Sequence, residues 1–205
     1  MNELICNTTT TSVALDRNFW DERWKTNDTG WDLHSISPPL QSYFDQMTCK
    51  NKSILIPGCG NAYEAEYLLQ QGFKNITIID ISPTLTQSLL QKFSDYAGKE
   101  LTVICGDFFK HSGQYDFIIE QTFFCALEPI RRTEYIEKMK SLLKKDGILA
   151  GLLFNIEFKQ NPPFGGSLVE YEELFSTSFT IQKMEITKLS ISPRLGTEIF
   201  FEVKN

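Results

Sequence analysis

Metal and disulfide chemistry find little material in this chain. Its 205 residues hold two histidines, His34 and His111, and five cysteines, at 6, 49, 59, 105 and 125, without a CxxC pair. An odd, scattered set of cysteines implies reduced thiols in a cytoplasmic protein, with neither a disulfide frame nor a zinc site. The histidines are too few and too isolated for a metal cluster and read as surface residues, so no metal is expected. Positive charge is also scarce. A net charge of −6 and a pI near 5.0 argue against nucleic acid or an anionic membrane as a partner. The basic pairs Arg131-Arg132 and Lys144-Lys145 read as solvated helix faces. No apolar run approaches membrane-spanning length, and Ile148 to Phe154, among the longest, reads as a buried strand. The first fifteen residues lack a basic region followed by an apolar core, so no secretory signal is visible. They are polar and threonine-rich (Thr8 to Thr11) and are expected to be a disordered tail, 1–15. What remains is a globular composition, 41% hydrophobic and 22% charged. The length suits one domain, 1–205, that buries roughly 70% of its unfolded surface.

The most informative stretch is ILIPGCGNA, from Ile54 to Ala62, followed by a second apolar run that closes on Asp80. An apolar strand, a glycine turn, a helix and an acidic strand end make half of a nucleotide site. The glycines let backbone approach a ligand, and the acid accepts hydrogen bonds from ribose hydroxyls. After Gly58-Cys59-Gly60 the chain reads Asn61-Ala62-Tyr63, so the third glycine of GxGxxG is missing. That glycine serves close helix–strand packing beside a pyrophosphate. A ligand with adenosine and no phosphate relaxes the demand, and S-adenosylmethionine is the leading candidate. The same pattern can also be an ordinary strand–turn–helix unit of an α/β protein.

Strands are expected at 54–56, 76–80, 101–105, 117–120 and 148–154, with helices between them. The helices are read at 61–71, ending at Gly72, from Pro83 with Ser82 as N-cap, and over Pro129 to Leu143, stopping at Gly147. Before them, a helix starts at Asn18 to Trp24, and another runs from Pro38-Pro39 to about Met47. Alternation of this kind implies a mainly parallel sheet wrapped by helices. Residues 179–189 and 198–203 instead form two strands joined by a turn with Pro193 and Gly196. A parallel sheet finished by an antiparallel hairpin is similar to the class I methyltransferase (Rossmann-like) fold, an α/β seven-stranded sheet with helices on both faces. Ligands of open sheets bind beyond the carboxyl ends of the strands. Those ends carry Pro57–Gly60, Asp80, Gly106-Asp107-Phe108 and Glu120-Gln121. Asp107 is placed to accept from an adenine amino group with Phe108 flanking the ring, and it can equally be the N-cap of the next turn.

FWDERW (Phe19–Trp24), DTGWD (Asp28–Asp32), IPGCGN and EQTFFCALEP (Glu120–Pro129) together resemble the thiopurine/thiol-halide methyltransferases. FFCALEP and the later PPF followed by YEEL place the resemblance nearer the thiol and halide branch. It runs from about Asn18 to Tyr171. It implies that residues 16–50 form a lid segment over cofactor and substrate, with Trp20, Trp24 and Trp31 closing over the methionine part of S-adenosylmethionine. It likewise assigns Gly58 to the methionyl end, with Gly60 in the same turn, Asp80 to the ribose, Asp107 and Phe108 to adenine, and Gln121 to the floor near the sulfonium. Aromatic faces attract a cation and exclude water, which suits tryptophan there. Trp20 and Trp24, four apart, also suit the buried stripe of a short helix. Gln121 stands where relatives often have tyrosine or arginine, which bears on the substrate.

The expected activity is therefore methyl transfer to a small-molecule nucleophile: a thiol, hydrosulfide, thiocyanate or halide. Such acceptors are anionic or easily made so, and no catalytic base is assigned. Trp31, Phe124, Phe164 and Tyr171 are the candidate pocket walls, Cys125 reads as packing, and Arg194 as a weak source of positive charge. Nothing calls for more than a monomer. Asn161-Pro162-Pro163-Phe164 spells NPPF, the signature of amino-methyltransferases, but it follows the fifth strand instead of the fourth. The stretch Gln160 to Ser167 is read as a loop over the substrate pocket. Alternatives left open are a thiopurine-type acceptor, a nicotinamide oxidoreductase using the same half-site, and a cofactor-binding protein without turnover.

Overall fold

Successive residues of a strand face opposite sides of a sheet, and the first strand uses both faces. In β1 (Ser53–Pro57), Ile54 and Ile56 pack into one apolar layer and Leu55 into the other. β1 pairs in parallel with β2 (Asn75–Asp80) on one side and with β4 (Tyr115–Gln121) on the other. β2 pairs in parallel with β3 (Leu101–Cys105), and β4 with β5 (Leu143–Phe154). The last two strands, β6 (Thr180–Ile186) and β7 (Glu198–Lys204), are antiparallel, with β7 lying against β5. The seven-stranded order is β3-β2-β1-β4-β5-β7-β6. The chain thus grows outward from β1, then crosses back to β4, and the switch point lies beyond the carboxyl ends of β1 and β4. The computed structural model describes residues 14–205, so the expected disordered tail falls almost wholly outside the described residues, as does Cys6.

Helices α1 (Arg17–Thr26), α2 (Pro38–Phe44), α3 (Tyr63–Gln70) and α4 (Pro83–Lys92) precede β3, and α5 (Arg132–Leu142) and α6 (Leu168–Ser176) follow β4. Leu40, Phe44, Leu68, Leu85 and Leu89 cover one sheet face, and Tyr135, Met139, Tyr171 and Phe175 cover the other. Ser82 caps α4 as expected, its hydroxyl accepting from Leu85 N at 3.1 Å with Pro83 in the first turn.

Several boundaries differ from the sequence reading. α5 stops at Leu142 instead of running on toward Gly147, and β5 starts at Leu143. The strand wins because Leu143 pairs with Tyr115, and Lys144 donates to Asp116 Oδ2 at 2.8 Å and to Ser53 Oγ at 3.0 Å. Lys144 is therefore tied to a strand end and is not on a solvated helix face. Pro129–Arg131 forms a separate 3-10 turn before α5. α3 begins at Tyr63, since Ala62 takes a left-handed conformation (φ 57°) that closes the glycine turn. No described helix is long and apolar enough to cross a membrane.

Candidate functional site

A cavity of about 560 Å³ opens at the switch point, beyond the carboxyl ends of β1, β2 and β4. One side of it is the glycine turn. Gly58 and Gly60 have φ of +56° and +51°, values that glycine adopts at little cost. A side chain at Gly58 would strike the Phe123 ring, since its Cβ would fall 2.2 Å from Cδ2. Asp80 sits at the end of β2, its Oδ1 accepting from Ser82 N at 3.0 Å and its Oδ2 from Gly60 N at 3.4 Å. Burial outweighs these bonds and pushes its carboxyl up to about 6. Asp107 and Phe108 follow β3 and also line the cavity. Asp107 caps the next turn, Oδ1 accepting from Phe109 N at 2.9 Å, so it is an N-cap as well as a cavity residue.

The roof comes from α1 and the loop after it. Trp31 stands edge-on between Trp20 (5.6 Å between ring centroids) and Trp24 (5.9 Å), and all three partly buried rings line the cavity. Two carboxylates tie this roof to the turns below. Asp21 accepts from Ser82 Oγ at 2.6 Å and Thr84 N at 2.9 Å, while Asp32 accepts from the Asn61 amide and from Tyr63 OH. Burial opposes ionisation of Asp21, but its bonds to Lys25, Ser82 and Thr84 reverse that and hold it far below the ordinary carboxylate range. Asn61, read from sequence only as a departure from a glycine pattern, is thus half of a clasp.

The floor is the end of β4. Gln121 lines the cavity; the Thr122 hydroxyl donates to its backbone O at 2.7 Å and lies 3.1 Å from its Oε1, and its buried Nε2 has no hydrogen-bond partner within the protein. Thr122, a β-branched residue, holds φ +60°, a strained conformation of the kind that collects at functional sites. Glu120 faces away and is fully buried. Its Oε2 accepts from the amides of Phe123 and Phe124, each at 3.0 Å, and burial pushes its carboxyl up to about 8.

On the β5 side of Gln121 the wall is built by Cys125, Ala126, Leu127, Phe154, Ile156, Phe158, Pro162, Pro163, Pro193, Arg194 and Thr197, with Arg131 nearby. No carboxylate and no imidazole is among them; the carboxylates of the cavity, Asp28, Asp32, Glu64, Asp80 and Asp107, come from the loop after α1, from α3 and from the ends of β2 and β3. Burial pushes the Cys125 thiol far up, and Sγ donates to Thr122 O at 3.1 Å, so it is a packed thiol and not a nucleophile.

All nine residues assigned from sequence to the cofactor line this cavity, but three of the four substrate-wall candidates do not. Phe124 is fully buried among Tyr135, Tyr171 and Phe175, its place at the cavity taken by Phe123 and Cys125. Tyr171 is fully buried on α6, with its hydroxyl donating to Phe154 O at 3.0 Å. Phe164 lies outside the lining and ties its loop down, its N–H donating to Cys125 O at 2.6 Å. Trp31 alone of the four reaches the cavity. Of NPPF only the two prolines do, and Asn161 is exposed, so no asparagine amide is presented to an amine there. His34 is exposed, whereas His111 is partly buried, its Nε2 2.8 Å from Tyr115 OH, and neither touches the cavity. Among the described residues no group of three or more histidine, cysteine, aspartate or glutamate side chains could hold a metal ion.

A sequence profile of the family described as Thiopurine S-methyltransferase (TPMT) matches residues 15–198. The chain is 31% identical over 184 residues to a protein of Arabidopsis thaliana named "Probable thiol methyltransferase 2", covering 87% of this chain and 81% of that one. Thiocyanate methyltransferase 1 of Brassica oleracea is 27% identical over 190 residues, covering 90% and 84%. A thiopurine S-methyltransferase of Photobacterium profundum is 27% identical over 179 residues, covering 78% and 83%. Among solved structures, the 1,6-didemethyltoxoflavin-N1-methyltransferase of Burkholderia thailandensis, bound to S-adenosylhomocysteine, superposes with a TM-score of 0.73 at 16% identity, covering 92% and 86%. At that identity the likeness establishes the fold, a class I methyltransferase fold.

Proposed function

This chain belongs to the thiopurine S-methyltransferase family and is an S-adenosylmethionine-dependent methyltransferase, and we propose that it methylates a small sulfur or halide nucleophile that arrives as an anion: hydrosulfide, thiocyanate, a thiolate or a halide. The observation that carries this reading is the chemistry of the β5-side wall. It offers aromatic and aliphatic surface beside the buried amide of Gln121, and the residues that form it, from the turn after β4, the loop after β5 and the β6–β7 turn, include no carboxylate and no imidazole. An acceptor that must lose a proton during transfer has no base there, whereas an anion needs none.

The cavity fits the cofactor. Gly58 and Gly60 bring backbone to one side of it without a side chain in the way, and Asp80 offers a carboxylate to ribose hydroxyls. Asp107 and Phe108 hold the adenine end. Trp20, Trp24 and Trp31 present aromatic surface to a cation and keep water out. When bound, S-adenosylmethionine supplies a methyl group on a positively charged sulfur, open to in-line displacement. Gln121 Nε2 donates to the incoming anion, and the apolar wall strips its hydration and aligns it.

The test is methyl transfer to iodide, thiocyanate, hydrosulfide, thiophenol and a thiopurine, with volatile products followed by headspace gas chromatography. Methyl iodide, methyl thiocyanate or methanethiol is the expected product. Turnover confined to the thiopurine, or none at all despite tight binding of S-adenosylhomocysteine, overturns the small-anion reading.

A further inference from the structure

The loop that carries Trp31 has neither helical nor strand hydrogen bonds of its own, and part of what holds it comes from the far end of the chain. Between β6 and β7 the chain makes one 3-10 turn, Ser192–Arg194. From it, Arg194 Nη2 donates to the backbone carbonyl of Trp31 at 3.0 Å, across 163 positions of sequence. Its Nη1 meets Glu198 Oε1 at 3.1 Å. The guanidinium also lies 5.3 Å from the centroid of Phe154, a ring of the β5-side wall. The side chains of Arg194 and Glu198 are only 13% and 3% exposed, so the pair is largely withdrawn from water.

A planar guanidinium with one edge on a carboxylate and another on a carbonyl fixes both in direction, which lysine at the same place does less well. Glu198 stands in the last strand of the sheet, so Arg194 is anchored to a rigid element. Trp31 stands in a loop, so the carbonyl contact is the movable one. On its other side that loop is clasped to the glycine turn through Asp32 and Asn61. The roof is thus fastened on the cofactor side through Asp21 and Asp32 and on the acceptor side through Arg194.

We propose that Arg194 is a positioning residue for methyl transfer: it latches Trp31 from the C-terminal hairpin and thereby holds the tryptophan roof closed over the cavity. The proposal rests on the cavity being the methyl-transfer site. It couples the two halves of that site, because the residue that holds the roof also lines the acceptor wall. Loss of the latch admits water and frees the roof, which weakens cofactor retention and slows the chemical step more than it weakens acceptor binding.

Removing Arg194 alone would leave Glu198 buried without a partner, and such half-pairs are strongly destabilising. The test therefore uses the double variant Arg194→Met/Glu198→Gln, which takes both charges away, with thermal unfolding as the check on the fold. Hydrogen exchange of residues 27–36 is compared with the parent, both free and with S-adenosylhomocysteine, together with the release rate of that ligand and kcat and KM for the acceptor. Exchange in the loop and ligand release are expected to rise by roughly tenfold or more, as for loss of one hydrogen bond to a charged group. The fall in kcat should exceed the change in acceptor KM, and Arg194→Lys should recover part of the loss. Loop exchange and ligand release equal to the parent's would overturn the proposal. Failure of the parent to bind S-adenosylhomocysteine would strike at the assigned activity instead, and the exchange of the free proteins would still decide the latch.

Discussion

The ring of Phe123 lies where a side chain at Gly58 would have to go: a Cβ there would fall 2.2 Å from Cδ2 and 2.9 Å from Cγ. The contact joins the turn after β1 to the turn after β4, the two strand ends that flank the switch point. Gly58→Ala adds a left-handed strain, of about 1 kcal/mol, to a collision with a packed ring. The variant is expected to melt lower and to bind S-adenosylhomocysteine at least tenfold more weakly, by calorimetry. Wild-type affinity in that variant would mean that the turn does not shape the ligand site.

Cofactor affinity should depend on pH through Asp80. Its carboxyl titrates at about 6 because burial disfavours the charged form. Ribose hydroxyls donate to the ionised form, so affinity should be full above that value and fall as pH drops through it, by up to about tenfold per unit. Asp80→Asn should bind weakly and flatten the profile. The stability of the free protein runs the other way, because a raised folded-state value favours the protonated state. A binding curve that is level between about pH 5 and 8 would remove Asp80 from the ribose role.

What the sequence made legible was local. Gly58, Gly60, Asp80 and Gln121 sit at strand ends or in the turn that follows one, and strand ends follow from apolar runs of the right length. The aromatic pair Phe123-Phe124 was not resolved in the same way. Alternation along β4 would decide which ring faces the cavity, but Thr122 breaks it with a positive φ and the next residues enter a 3-10 turn. Phe123 therefore turns to the glycine loop and Phe124 into the core. Tyr171 was misplaced for a related reason. A tyrosine on an amphipathic helix suits a pocket or a core equally, and the choice was made by a distant acceptor, Phe154 O. The start of β5 and the Arg194–Trp31 contact likewise depend on partners far away in sequence, which no local pattern encodes.

Glu120 should make the protein less stable as pH rises. Its folded-state value of about 8 stands above the ordinary 4.5, with burial as the cause. Its contribution is fully present below the unfolded value and is lost as pH rises through the folded one. Between those limits the loss runs to as much as about 1.4 kcal/mol per pH unit. Glu120→Gln keeps an oxygen to accept from Phe123 and Phe124 and cannot ionise. Between about pH 4.5 and 8, the melting temperature should fall less steeply with pH in this variant than in the parent. Parallel curves would mean that Glu120 is ionised in the folded protein throughout.

The sharpest test of the acceptor lies in how Gln121 divides its effect between KM and kcat. The Thr122 hydroxyl lies 2.7 Å from Gln121 O and 3.1 Å from Oε1, while Nε2 of the amide, buried at the end of β4, has no partner within the protein. An anion approaching there gains a hydrogen bond, but its negative charge is consumed as the methyl group transfers. The bond is therefore stronger in the bound state than in the transition state, so it serves affinity and not the chemical step. Gln121→Leu keeps similar bulk and removes the donor. It should raise KM for thiocyanate or iodide by roughly five- to tenfold, with kcat unchanged or higher. Gln121→Arg, which strengthens the hold on the ground-state anion, should lower KM and kcat together. If the leucine variant loses kcat at constant KM, the amide does not hold the ground-state anion and its assignment to acceptor binding fails.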